Sequence, residues 1–468
     1  MADERFEEHL RRPVGRGRVP GHDGVAGGAA CGDLVRIGVA VEGDLISDAG
    51  FDAAGCGAVQ AAGSAAVELV LGGSVLDAAR VGTHAIADAL GGLSPGKLHA
   101  AELAADALAR ALGGAVAADG VAALDPERTL VAMSGGVDSA VAALRSGAGA
   151  AASAAAVTLE LWRDPANDAD RSCCSASAVR GARALAHTMG LSHFTLDLRD
   201  EFRAGVVDPW LADHAAGLTP NPCVRCNGNV RLDAMLAFAD RIGAATLSTG
   251  HYARRTPDGL LRLAADPAKD QAYMLAGLSR ESLARLRFPL GDLTKAQVRA
   301  IAAEHDLPVA SKPDSQDLCF LAGTGRAAFL ARHGDLGERP GDIVDAGGRV
   351  IGRHRGAHHF TVGQRRGLEV GGAPEPLYVL RTDADANTVT VGPRAALATT
   401  AVRVRDARLH APEHEVEAVK LRYRAPAIPC SLNGSTIELD EPVDGAAPGQ
   451  TAVFLRGDAV LGCATIEG

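Results

Sequence analysis

Six residues, Ser134-Gly135-Gly136-Val137-Asp138-Ser139, constrain this chain more than any others. They follow a short apolar run, Thr129 to Met133, and lead into an Ala-rich stretch of helical character. A strand that turns through glycines into a helix leaves unpaired backbone N–H groups at the helix start. Such a turn attracts anions, and glycine lets the backbone approach a phosphate closely. Ser134 and Ser139 add hydroxyl donors. No G-K-[ST] follows, so the turn is not a Walker A loop.

Strands and helices alternate beyond this turn. AAVTLEL, a helix around Ala178–Met189, SHFTLDL, a helix around Leu232–Ile242 and AATLSTG follow in order. That alternation predicts a parallel sheet flanked by helices. Residues 20–114 have another texture, with two strands (around Val35–Val41 and ISDAGFDAAG) before three Ala-rich helices. The helices are expected at about Val59–Gly72, Val75–Leu90 and Leu98–Leu112. Strands followed by helices predict an α+β unit. After about Phe329 the segments shorten and Gly, Pro, Thr, Val and Arg rise, which predicts small β-domains of antiparallel strands. The expected units are 1–115, a linker at 116–127, 128–328, 329–395 and 396–468.

A length of 468 residues suits several domains. Aromatics are only 3% while Ala and Gly dominate, which we read as a coding bias. No apolar run approaches a membrane span, and the charged N-terminus lacks the apolar segment of a secretory signal. A cytoplasmic protein without membrane contact is expected. The net charge of -10 argues against a general nucleic-acid coat, although a local basic face remains open. Arg353, Arg355, Arg365, Arg366, Arg403, Arg405, Arg422 and Arg424, with His354, His358 and His359, supply such a face late in the chain.

Nine cysteines, an odd number in a long chain of this kind, favour metal, redox or nucleophilic roles over a disulfide framework. Cys223 and Cys226 lie in NPCVRCN, just before a helix, and Cys319 lies in DSQDLCF. A thiol at a helix start can be held as thiolate, and C-x-x-C also suits a metal or cluster. Cys430 and Cys463, in the β-rich tail, are expected to be small buried apolar residues, and Cys173 and Cys174 are assigned no chemistry.

SGGVDS resembles the PP-loop of ATP pyrophosphatases. From about residue 129 onward the chain resembles the tRNA-specific 2-thiouridylase family. The matching stretches are VAMSGGVDSAVA, LTPNPCVRCN, STGHYAR, AKDQAYML, SKPDSQDLCF, HFTVGQRRGL, LRYRAP and PGQTAVFLRGDAVLG, in the family's order. The resemblance implies an α/β PP-loop ATPase domain, a small central domain and a C-terminal β-barrel. It implies adenylation of the wobble uridine at its 2-oxygen, with ATP and Mg2+, then replacement of that oxygen by sulfur. Ser134, Gly135, Gly136, Val137, Asp138 and Ser139 would form the ATP site, with Leu159 and Gly250 at nucleotide-contacting positions. Cys226 matches the nucleophile and Cys319 the persulfide carrier. Asn221, Pro222 and Cys223 would face the target base. His251, Lys269, Asp270, Gln271, Arg422, Tyr423 and Gln450 match tRNA-contacting positions.

Many family members carry Asp where this chain has Cys223. Two mechanisms follow. In one, Cys226 attacks the inner sulfur of a Cys319 persulfide, releases hydrosulfide and leaves a disulfide bond. In the other, Cys223, Cys226 and Cys319 ligate a 4Fe–4S cluster, and the extra thiol favours this second route. The sulfur would come from a donor such as a cysteine desulfurase or a sulfur relay protein.

Residues 20–114 resemble the IscU/NifU-type iron–sulfur scaffold, on ACGD, GCG and GKLH. Cys31, Asp33, Cys56 and His99 match its ligand positions, while Ala100 stands where a third Cys is expected. The remaining set suits a labile cluster, zinc, a sulfur relay or a docking module. Two other readings of the whole chain are a different PP-loop adenylating synthetase and a non-catalytic iron–sulfur carrier.

Overall fold

The computed structural model describes residues 2–27, 32–120, 122–147, 154–164, 176–314, 318–321, 323–371 and 375–468. Cys31, Cys173 and Cys174 lie outside them, as does the SQD of DSQDLCF.

The N-terminal unit is an antiparallel three-stranded sheet covered by helices, so its α+β class holds. Its strands are His22–Gly27, Leu34–Glu42 and Leu45–Ala54. The first strand and the opening helix Ala2–Arg11 escaped sequence reading, because GHDGVAGG lacks β-branched density. The stretch expected as one helix over Val75–Leu90 is two, Val75–Ala78 and Thr83–Ala89. The break is enforced by packing: a Cβ on Gly82 would meet the His187 ring at 2.3 Å. Leu98–Asp119 outruns its expected end by seven residues, and buries fourteen residues, mostly Ala and Leu. Small residues spaced around the whole helix let it lie close to two sheets at once.

The second unit is a five-stranded parallel sheet. Its order is Leu286–Arg287, Ala244–Ser248, Asp125–Ala132, Ala154–Glu160, Ser192–Asp197. The chain reverses direction across the sheet at Asp125–Ala132, whose carboxyl end carries SGGVDS. Ligands of open α/β sheets bind at such a switch point. Ser192–Asp197 is the edge strand, and an open edge invites aggregation. Here the N-terminal unit covers it. The His193 amide donates to the Ala79 carbonyl at 2.8 Å, and Ser192 Oγ to the Leu76 carbonyl at 2.6 Å. Gly113 packs against the Thr195 carbonyl so closely that a Cβ would sit 2.0 Å away. Asp106 and Arg183, both almost fully buried, pair across the seam.

The central unit is a four-stranded sheet in the order Val350–His354, Gly341–Val344, Thr388–Gly392, Tyr378–Asp383. Antiparallel strands were expected throughout, but Gly341–Val344 runs parallel to Thr388–Gly392. The crossover between them, residues 345–387, is long enough to allow it. The last unit is a barrel of six strands, Ala398–Leu409, Thr436–Asp444, Ile428–Asn433, Ala418–Lys420, Thr451–Arg456 and Ala459–Ile466. Pairing of the first with the last closes it. Two short strands from the parallel-sheet unit, Arg254–Arg255 and Leu261–Arg262, extend this sheet from outside, a pairing that motif order alone does not reveal. No described helix is long and apolar enough to cross a membrane.

Candidate functional site

Gly136 is the N-cap of helix Val137–Arg145, and Gly135 has a φ of +68°, so the chain turns sharply before the helix begins. The Ser139 hydroxyl closes the turn: it accepts from the Ser134 amide at 3.1 Å and donates to the Gly136 carbonyl at 3.0 Å. Val137 is buried in the core, so only its backbone is available. Gly250 lies against the helix start, where a Cβ would come within 2.8 Å of the Ser139 nitrogen. Leu159 is buried on the neighbouring strand.

The Asp138 carboxylate is engaged by protein cations. Both oxygens accept from Lys295 Nζ, at 2.7 and 2.8 Å, and one accepts from the Tyr252 hydroxyl at 2.8 Å. Behind it, Asp314 meets Lys269 at 2.7 Å, Lys295 at 2.8 Å and Arg299 at 3.1 Å. Burial opposes ionisation of Asp314, but the bonds from Lys269 and Lys295 outweigh it and hold the carboxyl down at about 2. Lys312 Nζ donates to the Gly135 carbonyl at 2.8 Å. Lys295, Arg299 and Lys312 were not singled out in the sequence. Their signal was weak: Thr294 and Gln297 form a capping box around Lys295, and Lys312 is the second residue of the quoted SKPDSQDLCF.

The thiol helix, Pro222–Cys226, is capped by Asn221, whose side chain accepts from the Cys223 amide at 3.1 Å. Pro222 sits at the first turn, where its missing N–H costs nothing. Cys223 and Cys226 are one turn apart on one helical face. Cys226 is 8% exposed and Cys223 and Cys319 are half-buried. A π-helical turn, Asn227–Arg231, follows at once, a distortion common at functional sites. Cys319 is fixed through its neighbour: the Phe320 ring packs on Trp210, Phe329 and Phe202, with centroids 5.3, 5.1 and 6.0 Å away.

One segment touches both centres. Tyr252, whose hydroxyl holds Asp138, exchanges backbone contacts with Gln271: its amide donates to the Gln271 side chain and its carbonyl accepts from the Gln271 amide, each at 2.9 Å. Three residues on, the Met274 carbonyl accepts from Asn227 at 3.2 Å and its sulfur from Asn221 at 3.7 Å.

The other expected contact residues are spread over several segments, not all of them against the thiol helix. Gln450 donates to the Thr219 carbonyl at 2.6 Å, and the Tyr423 hydroxyl reaches the Asp270 carbonyl at 3.4 Å. Arg422 is exposed. Asp270 is buried and accepts from the Ala264 and Ala272 amides. His251 is buried against Thr249, and burial holds its imidazole neutral, at about 3. A cavity of about 450 Å³ separates this helix from the barrel, lined by Asn221, Pro222, Arg225, Arg405 and Arg408 among others. The late basic face is partly neutralised: Arg353, Arg355, Arg403 and Arg405 pair with Asp342, Glu338, Glu467 and Asp406, and His354 is buried. Cys430 and Cys463 are buried, and desolvation pushes both thiols up to about 11, so they are inert as nucleophiles at neutral pH.

A second centre lies in the N-terminal unit. Asp33, Cys56 and His99 place ligand atoms within 4.8 Å of one another, the only such group of three among the described residues. Cys56 Sγ donates to Asp33 at 3.3 Å and its amide to the other carboxylate oxygen at 2.8 Å. The Cys56 amide bond is the main influence that keeps the Asp33 carboxyl below its ordinary range, against a smaller opposing desolvation. His99 Nε2 faces Asp33 at 3.0 Å while Nδ1 faces the Gly96 carbonyl at 3.0 Å. A backbone carbonyl behind Nδ1 is the usual support of a metal-binding imidazole, so these residues fit a metal ion.

Family profiles cover the chain in four blocks. They are a NifU-like N-terminal domain over 3–115, a tRNA methyl transferase HUP domain over 127–323, a tRNA methyl transferase PRC-barrel domain over 327–393 and an aminomethyltransferase β-barrel domain over 399–466. The bifunctional protein NifU/MnmA of Rubrobacter xylanophilus is 43% identical over 97% of this chain and 96% of its own. The chain belongs to the bifunctional NifU/MnmA family. The tRNA-specific 2-thiouridylases MnmA of Rhizorhabdus wittichii and Salinispora tropica are 45% and 46% identical, over 72% of this chain and 90% and 98% of theirs. The NifU-like profile spans Asp33, Cys56 and His99, and the HUP-domain profile spans the glycine turn and Cys223, Cys226 and Cys319.

Proposed function

We propose that the chain carries out ATP-dependent 2-thiolation of the wobble uridine of tRNA, in the cytoplasm. The observation that carries this reading is the segment around Gln271–Met274, which joins the phosphate turn, through Tyr252 and Asp138, to the helix of Cys223 and Cys226. A carbonyl oxygen leaves poorly. Once it has attacked the α-phosphate of ATP and released pyrophosphate, it leaves as AMP. The turn 134–139 would hold the phosphates, Mg2+ would share their charge, and Leu159 and Gly250 would border the nucleotide. The base must leave its stack to be reached. Asn221 and Pro222, with Gln450 held on the Thr219 carbonyl beside them, would border the place where it enters, and Lys269, Arg422 and Tyr423 would meet the tRNA.

Sulfur then arrives as a persulfide on Cys319, loaded by a cysteine desulfurase or a relay protein. The Cys226 thiolate attacks the inner sulfur, hydrosulfide departs to carbon 2 as AMP leaves, and a Cys226–Cys319 disulfide remains for a dithiol to reduce. The burial of Cys226 keeps hydrosulfide from water. A second reading rests on Cys223 and Cys226 sharing one helical face. With Cys319, whose sulfur does not join theirs in a group within 4.8 Å of one another, they offer thiolates of the kind that would hold a 4Fe–4S cluster with an open iron for the incoming sulfide. In the N-terminal unit, Asp33, Cys56 and His99 would hold zinc or a labile cluster.

The test is anaerobic reaction of the full chain with tRNA, ATP and sulfide, followed by mass spectrometry of the nucleosides and an iron count. We expect 2-thiouridine and tRNA-dependent pyrophosphate. Cys319→Ser with persulfide donor should lower thiolation by more than about 10³-fold while pyrophosphate release persists. Absence of tRNA-dependent pyrophosphate from the unaltered chain would sink the proposal. Activity in iron-free protein would retire the cluster.

A further inference from the structure

Thiolation as described leaves a space unused: the cavity of about 450 Å³ between the thiol helix and the barrel. Of that helix, Pro222, Val224 and Arg225 line it and neither Cys223 nor Cys226 does, so it opens on the side away from the thiols. Its floor and its rim differ in kind. Trp210, Pro222, Val224 and Cys463 are buried and give an apolar floor. Arg225, Arg405 and Arg408 are exposed and stand around the mouth. An apolar surface suits the face of a base, and guanidinium forks suit a phosphate.

The barrel bends one of its own strands to make that rim. Ala398–Leu409 loses register against Ala459–Ile466 between Arg405 and Arg408. Asp406, inside the slip, has a φ of +55°, in a region that residues other than glycine seldom enter. Bulges at barrel rims re-aim side chains, and this one lies where the strand lines the cavity. The three guanidiniums are not equally committed. Arg405 is bound to Asp406, and Arg225 stands 3.9 Å from Asp213. The partner of Arg408 is the neutral side-chain oxygen of Asn229, at 3.3 Å, and among the described residues no carboxylate lies within 4.0 Å of it. A phosphate would give Arg408 the anionic oxygen it lacks.

Asn221 and Pro222, which would border the entering uridine, line this cavity too. An RNA strand that delivers one base to the thiol side of the helix start brings its neighbouring nucleotide to the cavity side. We propose that the cavity seats the nucleotide adjoining the target uridine, its base on the apolar floor and its phosphate on Arg408. The proposal rests on the reading of the chain as a tRNA-thiolating enzyme.

The test pairs Arg408→Gln and Arg408→Lys of the full chain with tRNA in which one phosphate, immediately before or after the wobble uridine, is replaced by a neutral methylphosphonate. Binding of tRNA is measured against salt. In the unaltered chain one of these replacements should weaken binding about 10-fold. Arg408→Gln should weaken binding of native tRNA by a similar factor and reduce the slope of log K against log salt by about 1. The two losses should not add: in Arg408→Gln the same methylphosphonate should cost about twofold or less. Arg408→Lys should recover part of the affinity, and an unchanged thermal midpoint in Arg408→Gln separates the effect from a folding defect. Fully additive losses, or native affinity and slope in Arg408→Gln, overturn the proposal. So does weakened AMP binding in Arg408→Gln with tRNA binding intact, which would give the cavity to a free nucleotide. Failure of the unaltered chain to form 2-thiouridine refutes the thiolation reading itself.

Discussion

At the scale of single residues, Gly250 illustrates how a missing carbon shapes the glycine turn. Its Cα lies so close to the start of helix Val137–Arg145 that a Cβ would press on the Asp138–Ser139 peptide, which is backbone and has nowhere to go. Gly250→Ala should therefore cost about 1–3 kcal/mol in stability and raise the KM for ATP. Thermal melting and ATP titration would check it, and a variant with the native midpoint and KM would show that the two segments can part freely. The residues that carry charge around this turn were only half legible from sequence. SGGVDS stands out because glycine, serine and an abrupt strand end coincide. Lys295 and Tyr252 do not, since they reach Asp138 from 157 and 114 residues away.

At the scale of elements, the parallel sheet and two of the three strands of the scaffold-like sheet followed from alternation and order, because strand and helix periods are local properties. The breaks did not. Gly82 interrupts a helical pattern to make room for His187, a residue of another domain. His187 Nε2 and the Ala79 carbonyl lie 3.0 Å apart across that seam. Burial, with Arg183 adding repulsion and the Ala79 bond a partial offset, lowers its imidazole from 6.5 to about 4. The unfolded chain therefore binds a proton between pH 6.5 and 4 that the folded chain refuses. Above 6.5 both states are neutral and the group has no effect. Below it stability falls with pH until about 4. Denaturation of the full chain should show this loss, and His187→Gln should flatten it. Equal slopes in the two proteins would mean that His187 is solvated in the folded state.

At the scale of the whole molecule, the N-terminal unit is bound to its neighbour by a buried seam, not merely joined to it in sequence. The centre of that seam is Asp106 with Arg183, at 5% and 4% side-chain exposure. Removing one member of such a pair leaves an uncompensated charge and costs about 3–5 kcal/mol. Asp106→Ala should lower the denaturation midpoint of both units together. A midpoint shift confined to the scaffold-like unit would show that they unfold independently. None of this was visible in the sequence, where Asp106 is one polar residue in an Ala-rich helix and Arg183 one charge in another. Contacts between distant segments depend on how finished elements pack, and local pattern does not encode that.

Helix Leu98–Asp119 gives the second centre a compass bearing. Arg110 meets Glu160, the last residue of its strand, while the Ala118 carbonyl meets Arg241, just ahead of strand Ala244–Ser248. The helix axis therefore descends from the strands' finishing ends towards their beginnings. His99 is eleven residues upstream of Arg110, about 16 Å at 1.5 Å per residue. It lies towards the strands' finishing ends, where the glycine turn also stands, so the ligand trio Asp33, Cys56 and His99 and that turn belong to the same end of the parallel sheet.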